Sequence, residues 1–357
     1  MTATATEPAS TPRSPSTAAE EFAKRRQSPL QRVQHTLHAH PAISPLLVLV
    51  ISWIVFTSLN PNFGSLRTTS LIFQQVSIVG ALAIGQTLII LTAGIDLSVG
   101  AIAILAMLYS AKLNAEHGVP APVAIVIGIA VGVVAGLANG ILVTRLRLPP
   151  FIVTLGTLSI FTAIALLYSS GQSIQAGGVP GQKGGMDSGM LWTGTGFGLG
   201  DLRLTTGVII VLLMYVVVSF VLKQTTWGRH VYAVGNDAEA ARLVGISVNR
   251  VLLSVYTVAG LIYGITAWVL IGRAGAASPN AAADANLESI TAVVIGGTSL
   301  FGGRGALLGT LLGALIVGFF RTGLSLAGVD DQWRVLAIGV LVIAAVSVDQ
   351  WIRKVRA

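Results

Sequence analysis

The chain contains no cysteine, which excludes thiol catalysis, thiolate metal sites and disulfides. Charge is nearly as scarce: Asp, Glu, Lys and Arg make up 10% of 357 residues, while 53% are hydrophobic and the mean hydropathy is +0.79. So apolar a chain has no way to hide its side chains in one soluble core, and several spans must sit in lipid. Neither a Gly-x-x-x-x-Gly-Lys-Ser/Thr loop nor His-Glu-x-x-His occurs, which argues against ATP binding through a P-loop and against that zinc motif. His117 and His230 fall in polar connections, leaving no buried His and acid pair for hydrolysis within a membrane. His35, His38 and His40 lie in an unconstrained tail that offers a metal no fixed geometry. Neither an enzyme nor a resident cofactor or metal is expected.

Glycine, by contrast, is abundant, with 41 residues, and small residues let membrane helices approach closely. Gly128, Gly132, Gly136 and Gly140 recur every four residues and so share one helix face. Gly260 with Gly264, and Gly305, Gly309 and Gly313, repeat the spacing. The net charge of +8 is dispersed at the ends of apolar runs, an arrangement better explained by orientation in a membrane than by nucleic acid.

Ten apolar segments lie near 44–59, 71–92, 97–112, 121–143, 151–169, 205–222, 251–271, 287–300, 305–322 and 333–348. The fold expected is an all-α polytopic membrane protein of eight to ten segments, some broken or re-entrant. If every segment crosses and the tail starts in the cytoplasm, 15 of the 22 Lys and Arg residues face inward. Both termini are then cytoplasmic, by the excess of basic residues on that side. Residues 1–42 read as a disordered tail rich in Ala, Thr, Ser and Pro, residues 43–350 as the membrane domain, and residues 351–357 as a basic terminus. The link from Gly171 to Asp201 falls outside, either as a surface for an external partner or as a plain connector. Arg273, Glu288, Arg321, Asp330, Asp331 and Arg334 cluster near outer ends, where surface pairing is the default.

The chain is organised around Ile84 to Ala101, IGQTLIILTAGIDLSVGA, an apolar run interrupted by one carboxylate. Each Leu or Ile there favours insertion by roughly 0.5 kcal/mol and Asp96 opposes it by about 3 kcal/mol, so hydropathy alone leaves the position of Asp96 open. Gly94, Ser98 and Gly100 favour a break between helices. Asp96 then either caps the following helix or acts directly in transport.

Lys223 to Arg250 is the longest inward-facing polar stretch between spans. Asn236 with Glu239 three residues on reads as a helix start, Ala238, Ala240 and Ala241 favour helix, and Gly245 ends it. Two turns are too few to stand alone in water, so this helix docks on the chain's own spans or on a partner. A second broken run, Ile290 to Gly313, carries Gly296, Gly297, Gly302, Gly303 and Gly305. Irregular backbone at membrane depth needs protein or water around it. Both broken runs contain Ile-Gly-x-Thr, as related halves of a transporter would.

Three motifs together resemble the permease subunits of monosaccharide ABC importers of the ribose, xylose, arabinose and galactose type, within the branched-chain amino acid and sugar permease superfamily. They are Gly-Gln-Thr with Gly94, Asp96, Leu97, Ser98 and Gly100, the stretch GNDAEAARLVGI, and the Gly-Gly-Thr-Ser run at Gly296. The resemblance implies a translocation pathway working by alternating access in the bacterial inner membrane. It also implies a second permease copy, an external sugar-binding protein and a separate ATPase subunit that holds ATP and Mg. Asn236, Asp237, Glu239, Ala240, Ala241, Arg242 and Gly245 would contact that ATPase. Gln86, Thr87, Asn139 and Thr298 are candidates to line the path or to bond neighbouring helices. The rival reading is an ion-coupled carrier of a small polar solute, for which Asp96 is the one acid suitably placed.

Overall fold

The computed structural model describes residues 43–177, 185–282, 284–330, 332–340, 343 and 347. The N-terminal tail, the basic C-terminus and Asp331 lie outside them. Helix α1 (Ile43–Leu59) leads through a 3-10 turn to α2 (Leu66–Leu91), whose start is capped by Ser65 Oγ accepting the Thr68 N–H at 3.2 Å. Then follow α3 (Val99–His117), α4 (Ala121–Arg145) and α5 (Pro150–Ser169). Prolines at the first turns of α4 and α5 suit a position where no intrahelical donor is needed. After the outer link come α6 (Thr206–Gln224), α7 (Thr226–Asn236), α8 (Ala238–Leu243) and α9 (Val248–Ala274). Finally α10 (Ala285–Ile295) and α11 (Leu307–Leu326) form a hairpin, followed by a helical stretch at 332–340.

Seven of these helices, α2 to α6, α9 and α11, are long and apolar enough to cross a membrane. At 11 residues, α10 reaches about 16 Å, roughly half the hydrocarbon thickness, so the eighth apolar segment is a half-helix. The expected all-helical polytopic architecture is thus present.

Helix α2 is the centre. Every residue from Val76 to Leu91 is buried, and α6, α7, α9, α10 and α11 all pack on it. The glycine spacing of α4 does what its pattern implies. A Cβ on Gly132 would lie 2.5 Å from the Gly260 carbonyl oxygen, and one on Gly136 would lie 2.3 Å from that of Tyr256, so the backbones of α4 and α9 touch. On the opposite flank, Phe56 of α1 packs edge-on to Phe320 of α11 at 5.4 Å. Faces of α5 and α6 remain apolar and outward, with Leu167, Val216 and Phe220 more than half exposed.

The described residues of the link from Gly171 to Asp201 and of its flanks include short strands. Strand β1 (Ile174–Gln175) pairs antiparallel with β4 (Ala276–Ala277), and β2 (Gly196–Leu199) with β3 (Leu202–Thr205). Asp187 Oδ2 accepts from Asn114 Nδ2 at 2.8 Å, and Trp192 stacks on Trp268 at 5.7 Å. Within the acid and base cluster, one pair departs from surface pairing: Glu288 is buried and receives a hydrogen bond from Arg321 Nη1. Facing helices enclose Glu288, and a buried carboxylate persists only with such a partner.

Candidate functional site

Helix α2 ends in a Schellman turn. The Ala93 N–H donates to the Ile90 carbonyl at 2.9 Å and the Gly94 N–H to the Ile89 carbonyl at 3.0 Å, with Ala93 at φ 61°. A non-glycine residue in that region costs about 1 kcal/mol. The chain then crosses Thr92–Ser98 as a non-helical break, buried at Thr92, Gly94, Asp96 and Ser98 and exposed at Ala93, as Gly94, Ser98 and Gly100 led one to expect. Asp96 is not the N-cap of α3. Ser98 holds that position without a side-chain cap, and Asp96 sits two residues earlier in an Asx turn. Its Oδ1 accepts the Ser98 N–H at 2.7 Å and the Ser98 hydroxyl at 2.6 Å. Asn139 Nδ2 of α4 donates to Ser98 Oγ at 2.9 Å, and the Tyr263 hydroxyl of α9 stands 3.5 Å from Asp96 Oδ2. The signature residues Gly94, Asp96, Leu97, Ser98 and Gly100 therefore form one knot, tied to α4 and α9. Gly100 extends it to α10, donating its N–H to Asn286 Oδ1 at 2.6 Å.

The second break repeats the first helix ending. The Gly297 N–H donates to the Val294 carbonyl and the Thr298 N–H to the Val293 carbonyl, with Gly297 at φ 81°. Thr92-Ala93-Gly94 and Gly296-Gly297-Thr298 thus correspond. The shared Ile-Gly-x-Thr does not mark this correspondence: Ile84 to Thr87 lies inside α2, whereas Ile295 to Thr298 is the turn itself. Beyond it, Ser299–Gly305 folds back, with Gly302 and Gly303 at φ 84° and 68°.

Between spans on this side, Asp237, not Asn236, caps α8. Its Oδ1 accepts the N–H groups of Glu239 and Ala240 at 2.9 and 3.0 Å. Asn236 instead closes α7, an 11-residue helix that packs inward through Trp227, Val231, Tyr232, Ala233 and Val234 and that its polar flanks concealed. Gly245, at φ 87°, ends α8 as expected, with the Ile246 N–H on the Ala241 carbonyl at 3.0 Å. Asn236, Asp237, Glu239, Ala240, Arg242 and Gly245 are exposed, while Ala241 is buried against the chain and unavailable to a partner. Leu243 and Val244, passed over in the sequence, are 88% and 77% exposed. Two adjacent apolar residues directly after the Ala-rich helix signal were the signal.

These three motifs meet. The Gly303 N–H donates to the Leu91 carbonyl at 2.9 Å. A Cβ on Gly302 would lie 2.6 Å from the Gly235 carbonyl oxygen, and one on Gly303 would lie 2.7 Å from Asn236 Cα. Tyr232 of α7 donates its hydroxyl to the Gly305 carbonyl at 2.9 Å, and burial raises this phenol above its ordinary range, so it stays a donor. The end of α2, the end of α7 and the glycine turn therefore share one backbone junction, directly before α8.

The four polar candidates for the path are enclosed. Thr87 Oγ1 donates to the Ala83 carbonyl and meets Thr310 Oγ1 at 2.8 Å. Asn139 is held through Ser98, while both polar atoms of the Gln86 side chain and the Thr298 hydroxyl have no partner. The geometry brings Asn139 to the signature knot and leaves Gln86 and Thr87 on separate faces of α2.

Residues 68–346 match the family described as branched-chain amino acid transport system / permease component. The fructose import permease protein FrcC of Rhizobium meliloti is 50% identical over 329 residues, covering 92% of this chain and 90% of the relative. The ribose import permease protein RbsC of Bacillus subtilis is 37% identical, covering 90% and 97%. The D-allose transport system permease protein AlsC of Escherichia coli is 34% identical, covering 86% and 91%. No solved structure matches.

Proposed function

Since this chain belongs to the branched-chain amino acid transport permease family, we propose that it carries a monosaccharide through the membrane as the pathway subunit of an ATP-driven, binding-protein-dependent importer. The observation that carries the mechanism is the shared junction of Leu91, Gly235 and Gly303. Force on α8 reaches both helix breaks through backbone contacts, with no flexible side chain between them to absorb it.

ATP hydrolysis falls to a separate subunit, which holds ATP and Mg and takes α8 into a cleft. The exposed pair Leu243 and Val244 supplies the apolar contact, and the ion pair of Glu239 with Arg242 at 2.8 Å fixes the polar face. An external sugar-binding protein seats on the link that carries Trp192 and Phe197, both exposed. A second copy of the permease and membrane lipid cover the apolar outer faces. Both termini lie in the cytoplasm of a bacterium, because the signature break, α8 and the glycine turn fall on one side when the segments alternate.

Gln86, Thr87, Asn139 and Thr298 contribute polar groups along the path, closed in this conformation. The sugar is selected mainly by the binding protein, since a path that only passes substrate needs few specific contacts. Uptake of fructose and ribose by vesicles, with proton and sodium gradients collapsed and ATP supplied to the assembled complex, tests the reading. Uptake that persists and stops without ATP is expected. Uptake that follows an ion gradient instead would overturn it and make Asp96 the coupling acid.

A further inference from the structure

On the face that carries α8 lies a cavity of about 790 Å³. That volume falls within the roughly 300–1,000 Å³ of small-molecule sites. Four elements share its wall: Thr92 of the first break, Arg147 between α4 and α5, Arg242 of α8, and Asn249 and Tyr256 of α9. Among the described residues lining it none is acidic.

Three features of the wall select for an anion. First, two arginines, Arg147 and Arg242, line one space. Glu239 engages Arg242 through Nη1, and a planar guanidinium keeps further donors in its fork for a second oxyanion. Secondly, the first turn of α9 opens here. Its N-cap Ser247 makes no side-chain cap bond, and Val248 and Asn249 of that turn line the cavity, so an oxyanion there meets the N-terminal end of a 27-residue helix. Thirdly, the Tyr256 side chain is 1% exposed and its hydroxyl has no partner among the described residues. That hydroxyl stands at the inner wall beside Gly94, where an added Cβ would be 3.2 Å from it. A buried hydroxyl without a partner costs about 1–3 kcal/mol, a cost that an acceptor arriving at that wall removes.

We infer that this cavity binds a phosphate-bearing polar ligand, its phosphate held by Arg147, Arg242 and the first turn of α9, with Tyr256 donating from the inner wall. The chemistry is that of a phosphomonoester of a small polyol or of an anionic phospholipid headgroup. Such a ligand ties α8 to the turn between α4 and α5 and to α9, and so resists displacement of α8. This slowing of turnover rests on the importer reading, whereas the binding does not.

The test is calorimetric titration of the full chain in phosphatidylcholine nanodiscs with glucose 6-phosphate and, separately, glucose. Saturable binding of the phosphate ester alone is expected, weakened about tenfold by Arg147→Gln, the loss of one charge-assisted contact, and severalfold by Tyr256→Phe. If the occupant is a lipid, the titration is silent. Native mass spectrometry of protein from discs containing phosphatidylglycerol then shows that lipid retained by the wild type and lost in Arg147→Gln. Either result supports the site and identifies the source. Absence of both, or an unchanged Arg147→Gln, overturns it. Arg147→Lys, which keeps the charge and loses the fork, replaces Arg147→Gln if the latter fails to fold, and weakened binding is again the supporting result. ATP-driven uptake without ligand reports on the importer reading separately. Uptake that proceeds without ligand but is not slowed by a bound phosphate ester removes the inhibitory role and leaves the importer standing.

Discussion

Gly235 and Leu91 lie so close that a methyl group on Gly235 would stand 1.7 Å from the Leu91 carbonyl oxygen. Backbone blocks it on two sides, since the Gly303 nitrogen would be only 2.7 Å away. Gly235→Ala must therefore push α7 away from the two breaks. The expected result is a folded permease that still binds its ATPase but transports at least about tenfold more slowly, from a displacement worth about 1.4 kcal/mol or more at the rate-limiting step. Comparing uptake with ATPase binding in the same preparation checks it, and wild-type uptake would refute the junction as a coupling element.

Asp237 and Asn236 are adjacent but have different roles. Asp237→Ala removes a cap that satisfies two N–H groups of α8, which costs about 1 kcal/mol. Amide hydrogen exchange in α8 should then accelerate by roughly fivefold. Asn236→Ala should leave exchange in α8 unchanged, because Asn236 ends α7 and caps nothing in α8.

Glu288→Ala strands Arg321, whose partner is buried at 10% side-chain exposure. Losing one member of a buried pair costs about 3 kcal/mol, reduced here because Arg321 is a third exposed. Replacing both, as Glu288→Leu with Arg321→Met, should recover more than half of the loss in thermal stability. If the double variant is no better than the single, the pair is not a unit.

Ala93→Gly should stabilise the chain by about 1 kcal/mol, because Ala93 occupies the left-handed region at φ 61° while its side chain is exposed. A rise in melting temperature measures it. A fall would mean that the methyl group packs against the glycine turn: an added Cβ on Gly302 would lie 2.9 Å from it.

The spans and their order were legible because hydropathy over twenty residues is a strong signal, and the stripe from Gly128 to Gly140 announced a close helix contact that α9 completes. Alternation of crossings placed the break at Asp96, the loop at Asp237 and the turn at Gly302 on one side, and the structure joins all three. Capping was read one residue early because Asn and Asp are equally good caps, and only the tight seat of Asn236 against Gly303 excludes the first. Helix α7 was hidden because its inward residues are interleaved with Arg229, His230 and glycines, so that a short amphipathic helix resembles polar loop. Glu288 read as surface because sequence gives no sign that α11 brings Arg321 across to it. The repeated Schellman ending escaped notice because Ala93 replaces the glycine that Gly297 retains.

The direct backbone contact of α4 with α9 has a mechanical consequence. Where Gly132 and Gly136 meet Gly260 and Gly264 no side chain intervenes to change rotamer, so the two helices are held there as one stiff strut. Helix α9 begins four residues after the end of α8 and runs 27 residues, about 40 Å, into β4, which is paired with β1 of the outer link. A tilt imposed at its inner end therefore arrives at the outer surface as a swing of the link itself. Under the importer reading proposed above, such a strut would serve as a single lever between the two sides of the membrane.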